Sequence, residues 1–305
     1  MNTLNREDNF LGLDEEWSQF EPAQVVVLPI AYERTTSYGK GAGDAPAAIL
    51  KASHQVELYD EELDADIFRL TGGIATLPIM RFDDDCRDAL AVEAIREQVH
   101  RLIKHGKRVV CIGGEHTIAV GTVQAHTQCD SELSILQLDA HSDLRDEYEG
   151  NRYSHASTMA RIYEFHPDIV QVGIRSQCAE EAKFIKENEV NTFYALHLKR
   201  NSPPFFPPQL GGKEGGWHDA VIDRLKANVY VTFDCDFLDP SLIPSLGTPE
   251  PGGFGWDETI AFLRKLATHR NVVGFDVNEL APMPPLHHPQ FIIAKLIYKW
   301  MGYIS

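Results

Sequence analysis

Six short apolar runs recur along the chain: Val25–Ile30, Arg108–Ile112, Leu133–Leu136, Ile169–Ile174, Val229–Phe233 and Val272–Glu279. Their length and β-branched content predict buried strands. Between them lie stretches with helical spacing. Asp44 and Pro46 open a helix through Leu50, as a Pro in a first turn does. Asp83 to Lys104 places Leu90, Ile95, Val99 and Leu102 at helical intervals, with acids early and Lys104 and His105 late, the order a helix dipole favours. Further helices are expected over Ile118–His126, through Met159 and Ile162, up to Glu187, over Asp257–Ala267 and over Phe291–Met301. Asp239-Pro240 reads as an N-cap and N1 pair. Strand and helix alternate without an obvious boundary, which predicts one doubly wound α/β domain over residues 1–305 with a mainly parallel sheet. Residues 1–22 read as an irregular acidic arm. Residues 201–218, with four prolines and four glycines, read as an insertion loop.

Composition narrows the function classes. A formal net charge of −17 over 305 residues argues against a nucleic-acid partner and suits a field that draws cations. Five cysteines without a CxxC pair argue against a disulfide framework and favour a reducing compartment. The first sixteen residues lack the apolar core of a signal peptide, and no apolar run reaches the roughly 18 residues of a membrane span. The expectation is a cytoplasmic protein that binds neither nucleic acid nor membrane. The glycine loop Thr35 to Pro46 could cradle a phosphate, but no Gly-Lys-Ser/Thr follows it.

The chemistry gathers where the apolar runs end. Gln137-Leu138-Asp139-Ala140-His141-Ser142-Asp143 sets two carboxylates and an imidazole at alternate positions after a buried run. Alternate residues of a strand share a side, and unpaired buried charge is costly, so a cation is called for. Two other runs end similarly: Gly113-Gly114-Glu115-His116 and Asp234-Cys235-Asp236. Taken singly, an Asp-x-Asp after a strand is commonly a cap or turn, and a histidine after Gly-Gly a loop residue; three strand ends together are another matter. Ligands of open α/β sheets gather outside the carboxyl ends of the strands. His116, Asp139, His141, Asp143, Asp234 and Asp236 suffice for two metals. At about 3.3 Å per residue, positions 139 and 143 would lie some 13 Å apart if extended, so the chain must curl after Asp139 to serve metals about 3.5–4 Å apart. Two imidazoles and four carboxylates without a thiolate favour Mn²⁺ over structural zinc. Cys235 alternates away from its neighbours and reads as packing. Four carboxylates balance two dications, a bridging hydroxide leaves −1, and a guanidinium would restore neutrality.

In these segments the chain resembles the ureohydrolases, the family of arginase and agmatinase. The likeness extends through Ser154-His155-Ala156, Phe233 to Pro240, Gly247 to Gly253 and Asp276-Val277-Asn278-Glu279. It implies an α/β/α sandwich of the arginase/deacetylase type with two Mn²⁺ per subunit, assembled as a homotrimer or homohexamer. It further implies hydrolysis of a guanidino group to urea and an amine, the metals acidifying a bridging water to the hydroxide that attacks the guanidinium carbon. By the same resemblance, His116, Asp139, Asp143 and Asp234 hold one metal and Asp139, His141, Asp234 and Asp236 the other. Glu279 holds the guanidinium, His155 passes a proton to the leaving amine, and Asp143 takes one from the hydroxide.

Substrate choice is expected to rest on the loop Leu144 to Tyr153. Arginases carry a Ser/Thr/Asn-rich loop here, whereas this chain has Asp146, Glu147 and Glu149, which resembles the agmatinases and suits a distal ammonium. Asp146, Glu147 and Asn151 are the expected tail contacts, and agmatine, cleaved to putrescine and urea, is the expected small cationic substrate. Arg145 and Arg152 keep a carboxylate-bearing alternative open, and guanidinobutyrate, guanidinopropionate, arginine and guanidine are the rival substrates.

Overall fold

The computed structural model describes residues 1–201 and 216–305; most of the loop expected at 201–218 lies outside the described residues. One sheet organises the chain. Its main strands are β1 (Val25–Ala31), β2 (Ile74–Thr76), β3 (Arg108–Ile112), β4 (Ser134–Leu138), β5 (Ile169–Ile174), β6 (Asn191–Tyr194), β7 (Asn228–Asp234) and β8 (Asn271–Asn278). They lie in the order β2-β1-β3-β8-β7-β4-β5-β6, and every pairing in this sheet is parallel. A further two-residue strand, Met80–Arg81, pairs with the end of β1.

The six runs expected as strands are strands. Their continuous hydrophobicity follows from burial on both faces, the usual condition of a parallel sheet. Alternate residues feed opposite layers. Val25, Val27, Val110, Ile112, Leu136, Leu138, Val229, Val231 and Phe233 pack with the helices α1 (Ala45–Ser53), α8 (Trp256–His269) and α9 (His288–Tyr303). Val26, Leu28, Val109 and Cys111 pack against α2 (Ala89–Lys104) and α3 (Ile118–Thr127), and Ile135 and Tyr230 against α3 and α4 (Thr158–Phe165). The remaining helices of six residues or more among the described residues are α5 (Ala179–Glu187), α6 (Ala195–Asn201) and α7 (Trp217–Ile222). The result is a three-layer α/β/α sandwich. Among the described residues, no helix is long and apolar enough to cross a membrane.

Three expectations are corrected. Residues 1–22 are no irregular arm: Phe10, Leu11, Leu13 and Phe20 are buried, and the segment forms a 3-10 turn at Phe10–Gly12 and a short helix at Glu15–Ser18. Its apolar residues were too sparse to show a period, yet these four find places in the core. The helix expected from Asp83 starts at Ala89, because Asp88 takes a φ of 54°, and Leu90 is 65% exposed. Ala91, Val92, Ile95, Val99 and Leu102 form its buried stripe instead. Asp239-Pro240 caps no helix. The Asp239 carboxylate accepts hydrogen bonds from the Ser241, Gly252 and Gly253 amides and so braces two turns together.

Candidate metal centre

The four central neighbours β3, β8, β7 and β4 bring their carboxyl ends to one edge, roughly 4.8 Å apart strand to strand. From that edge emerge His116, Glu279, the Asp234/Asp236 pair and the Asp139–Asp143 segment. Local sequence shapes each exit. After β3 the backbone passes so close to its neighbours that a Cβ on Gly114 would sit 2.0 Å from the Tyr32 carbonyl oxygen, and one on Gly113 2.0 Å from Asn278 Oδ1. Only glycine fits there, and the turn lowers His116 into the edge. After β4 the chain does curl, with Asp143 at φ 53°, a left-handed conformation unusual for a non-glycine residue. After β7, Asp234 Oδ1 accepts the Asp236 amide at 2.9 Å and starts a 3-10 turn over Cys235–Phe237. That turn, and not strand alternation, is what buries Cys235 away from the carboxylates.

The six expected ligands converge. His116 Nδ1 lies 3.2 Å from Asp139, 2.9 Å from Asp143 and 3.6 Å from Asp234. His141 Nδ1 lies 2.8 Å from Asp236 and 3.8 Å from Asp139. Two groups therefore have ligand atoms close enough to share an ion, His116/Asp139/Asp143 and Asp139/His141/Asp236, with Asp139 common to both. Asp234 belongs to neither group but borders the first, its carboxylate 3.6 Å from His116 Nδ1. Neighbouring donors pin the carboxylates: Asp139 accepts from the His141 amide at 2.6 Å and from Gln137 Nε2 at 2.7 Å, and Asp236 accepts from the Ala140 amide at 2.9 Å.

The charge balance tests whether a cation belongs here. All four aspartates are buried, and the ion pairs they form among the described residues are with His116 and His141. Burial, then the nearby Asp236 and Asp143 charges, pushes Asp139 up to about 7. Burial and the Asp236 and Asp139 charges push Asp234 well above the carboxylate range. His141 is carried up to about 10 against its own burial by Asp236, which is itself held down to about 2 by His141 against a burial that would raise it. The cluster is an anionic cage short of positive charge, and its oxygen and imidazole donors suit hard or borderline dications.

His116 is held from behind as well. Its Nε2 lies 2.8 Å from Thr232 Oγ1, which donates to Asp276 Oδ1 at 2.6 Å. Because the hydroxyl proton goes to the carboxylate, His116 Nε2 carries a proton and Nδ1 presents its lone pair to the cluster. Asp276 is fully buried and also accepts from Tyr230 and Thr122.

Beside the cluster lies a cavity of about 210 Å³ whose walls include His116, His141, Asp143, Asp234, His155 and Glu279. Glu279 is no surface charge. Its Oε1 accepts the His116 amide at 2.5 Å, its backbone holds a φ of 65°, and burial followed by the Glu115 charge pushes it up to about 8. His155 sits opposite, its Nδ1 3.2 Å from Thr35 Oγ1.

The expected tail contacts do not line this cavity. Asp146, with its side chain 72% exposed, is taken by Arg152 at 2.7 Å and Arg161 at 2.9 Å. Asn151 donates to Asp88, and Glu147 is exposed. Two residues of the same loop do line it, Arg145 and Tyr148. The Arg145 guanidinium lies over the Tyr148 ring at 5.1 Å, with Nε 3.9 Å from Glu181. Ser37, Gln177 and Thr248 also reach the walls. Nothing in their residue type announces this; only the fold brings those loops together. The glycine loop cradles no anion, since the Glu33 carboxylate already takes the Gly41 and Gly43 amides at 2.8 and 2.9 Å.

Comparison with known proteins places this geometry. Residues 23–302 match the model of the arginase family. A protein of Synechocystis sp. named N(1)-aminopropylagmatine ureohydrolase is 38% identical over 295 residues, covering 95% of this chain and 92% of that one. The agmatinase of Pyrococcus horikoshii is 31% identical over 288 residues, covering 92% of each. The crystal structure of agmatine ureohydrolase of Thermoplasma volcanium superposes with a TM-score of 0.81 at 28% identity, covering 94% of this chain and 92% of that one.

Proposed function

The chain belongs to the arginase family, a hydrolase acting on guanidino groups, and from that premise we propose that it cleaves an agmatine-type cation to urea and a linear polyamine. The observation that carries the reading is the cluster of His116, Asp139, His141, Asp143 and Asp236 at one sheet edge, with Asp234 3.6 Å from His116 and Glu279 on the adjoining cavity wall. His116, Asp139, Asp143 and Asp234 would hold one Mn²⁺, and Asp139, His141, Asp234 and Asp236 a second. When bound, such a pair supplies a water acidified to near neutral pH.

The side chains supply the rest. Glu279 has one oxygen tied to the His116 amide, which fixes its plane and leaves the other oxygen to accept from the guanidinium, orienting the carbon toward the cluster. Asp143, whose carboxylate lies 2.9 Å from His116 Nδ1, would share an ion with that imidazole and accepts a proton as the carbon becomes tetrahedral. His155 carries a proton to the departing amine, as imidazoles commonly do in general acid–base catalysis. The tail runs outward past Arg145 and Tyr148 instead of the acids first expected to receive it.

N1-aminopropylagmatine is the substrate favoured, yielding spermidine and urea, because the 38% identical relative bears that name. Unextended agmatine, expected from the sequence, is supported by the relative named agmatinase at 31%. Urea release from both compounds, and from arginine, guanidinobutyrate and guanidine, decides between them. A kcat/KM for aminopropylagmatine at least tenfold above that for agmatine is expected. The reverse order would return the reading to agmatine, and urea from neither would end it.

A further inference from the structure

We infer that Thr35 is a positioning residue for His155, setting its tautomer and its direction through a relay that ends on the buried carboxylate of Glu115. The inference rests on the proposed role of His155 as the proton carrier.

The hydrogen bonds around Thr35 Oγ1 leave one assignment. Glu115 is completely buried, and both its oxygens are used as acceptors. Oε2 receives the Arg34 and Thr35 amides, each at 2.7 Å, and Oε1 receives the Thr35 and Thr117 hydroxyls, each at 2.9 Å. A hydroxyl has a single proton, and Thr35 gives its own to Glu115. The two other contacts of Thr35 Oγ1 must therefore be donors to it. One is the His155 amide at 2.9 Å and the other is His155 Nδ1 at 3.2 Å. Nδ1 thus carries the proton in the neutral ring, and Nε2 keeps the lone pair that can take up a proton and hand it on.

The same contacts orient the ring. Thr35 Oγ1 grips both the backbone and the imidazole of His155, and the Tyr148 ring stands edge-on to that imidazole at 6.1 Å. Glu115 serves two functions with one side chain, since its Oε2 contacts also fold the loop that begins at Arg34. This gives the Thr35-Thr36-Ser37 start of the glycine loop a purpose that no phosphate supplies.

The test is a double-mutant cycle on the Mn²⁺-loaded enzyme. Thr35→Val keeps shape but loses the hydroxyl, Thr35→Ser keeps the hydroxyl, and His155→Asn removes the proton carrier. Thr35→Val should lower kcat by roughly 10- to 100-fold, part of the roughly 10²–10⁴-fold that a positioned acid–base group contributes, with KM within about twofold and metal content unchanged. Thr35→Ser should recover most of the loss. On the His155→Asn background, Thr35→Val should cost nothing further. With ¹⁵N-histidine labelling of the metal-free protein, which avoids broadening by paramagnetic Mn²⁺, the His155 ring resonances, identified by their loss in His155→Asn, should report Nδ1–H in the native protein and a shift toward Nε2–H in Thr35→Val. A Thr35→Val loss equal on both backgrounds, or a native Nε2–H tautomer, overturns the relay while leaving the carrier intact. Undiminished turnover in His155→Asn overturns the carrier reading and the relay together.

Discussion

Replacing Thr232 with valine isolates the support behind the metal cluster. Valine matches threonine in shape but removes the hydroxyl that links His116 Nε2, at 2.8 Å, to Asp276, at 2.6 Å. In a site that is wholly buried, the His116 N–H then has no acceptor. Leaving a buried donor unmet costs about 1–3 kcal/mol, and loss of such outer support to a ligating histidine lowers metal affinity by roughly 10- to 100-fold. Thr122→Val is the matched control, since Thr122 bonds the same carboxylate at 2.9 Å without touching His116. Both variants should unfold at lower urea concentration. Only Thr232→Val should lose Mn²⁺ to a competing chelator at a concentration about tenfold or more below that needed for the parent. Equal metal retention in Thr232→Val and the parent, or an equal loss in Thr122→Val, would refute the tie from His116 to Asp276.

Other perturbations follow from the same geometry. Lys299 is buried against Asp60 at 2.7 Å and Glu62 at 3.1 Å, so Lys299→Met should destabilise by about 3–5 kcal/mol, as loss of one partner of a buried pair does; an unchanged urea midpoint counts against it. His126 is held down to about 4, chiefly by burial, and its Nε2 has no partner among the described residues. The unfolded chain, with histidine near 6.5, binds a proton that the native state refuses, so this group removes stability as pH falls from about 6.5 to 4. His126→Leu should show a flatter stability-versus-pH curve than the parent across that window, and parallel curves would contradict this. Asp146→Ala should leave KM within about twofold, because its carboxylate is spent on Arg152 and Arg161 and does not face the cavity; a tenfold rise in KM would restore it as a tail contact.

The central strands and the His/Asp cluster at their ends were legible because one physical contrast marks both. A strand buried on two faces must be apolar throughout, so a carboxylate or imidazole at its end stands out. The edges carried no such contrast. Ile74–Thr76 and Asn191–Tyr194 are short, and the latter is only half buried, so neither shows a run or a period. The start of α2 was misplaced because Asp88 turns the backbone at a φ of 54°, which an acidic stretch before a helix does not announce. The substrate loop failed for a related reason. Charge shows that Asp146 wants a cation but not whether that cation is a substrate or Arg152, and only the fold answered. Thr35 was invisible because a hydroxyl has no preferred chemistry until its partners are known, and here those partners lie 80 and 120 positions away.

The central claim is that six ligands from neighbouring strands hold two metals for guanidino hydrolysis, and metal stoichiometry with urea release on one sample tests it most directly. The chain, stripped and reloaded with Mn²⁺, should carry two ions and release urea from aminopropylagmatine. Asp139→Asn, which alters the ligand common to both groups, should lose both properties together. A single ion per chain with full turnover, or two ions with no urea from any guanidino compound, would contradict it.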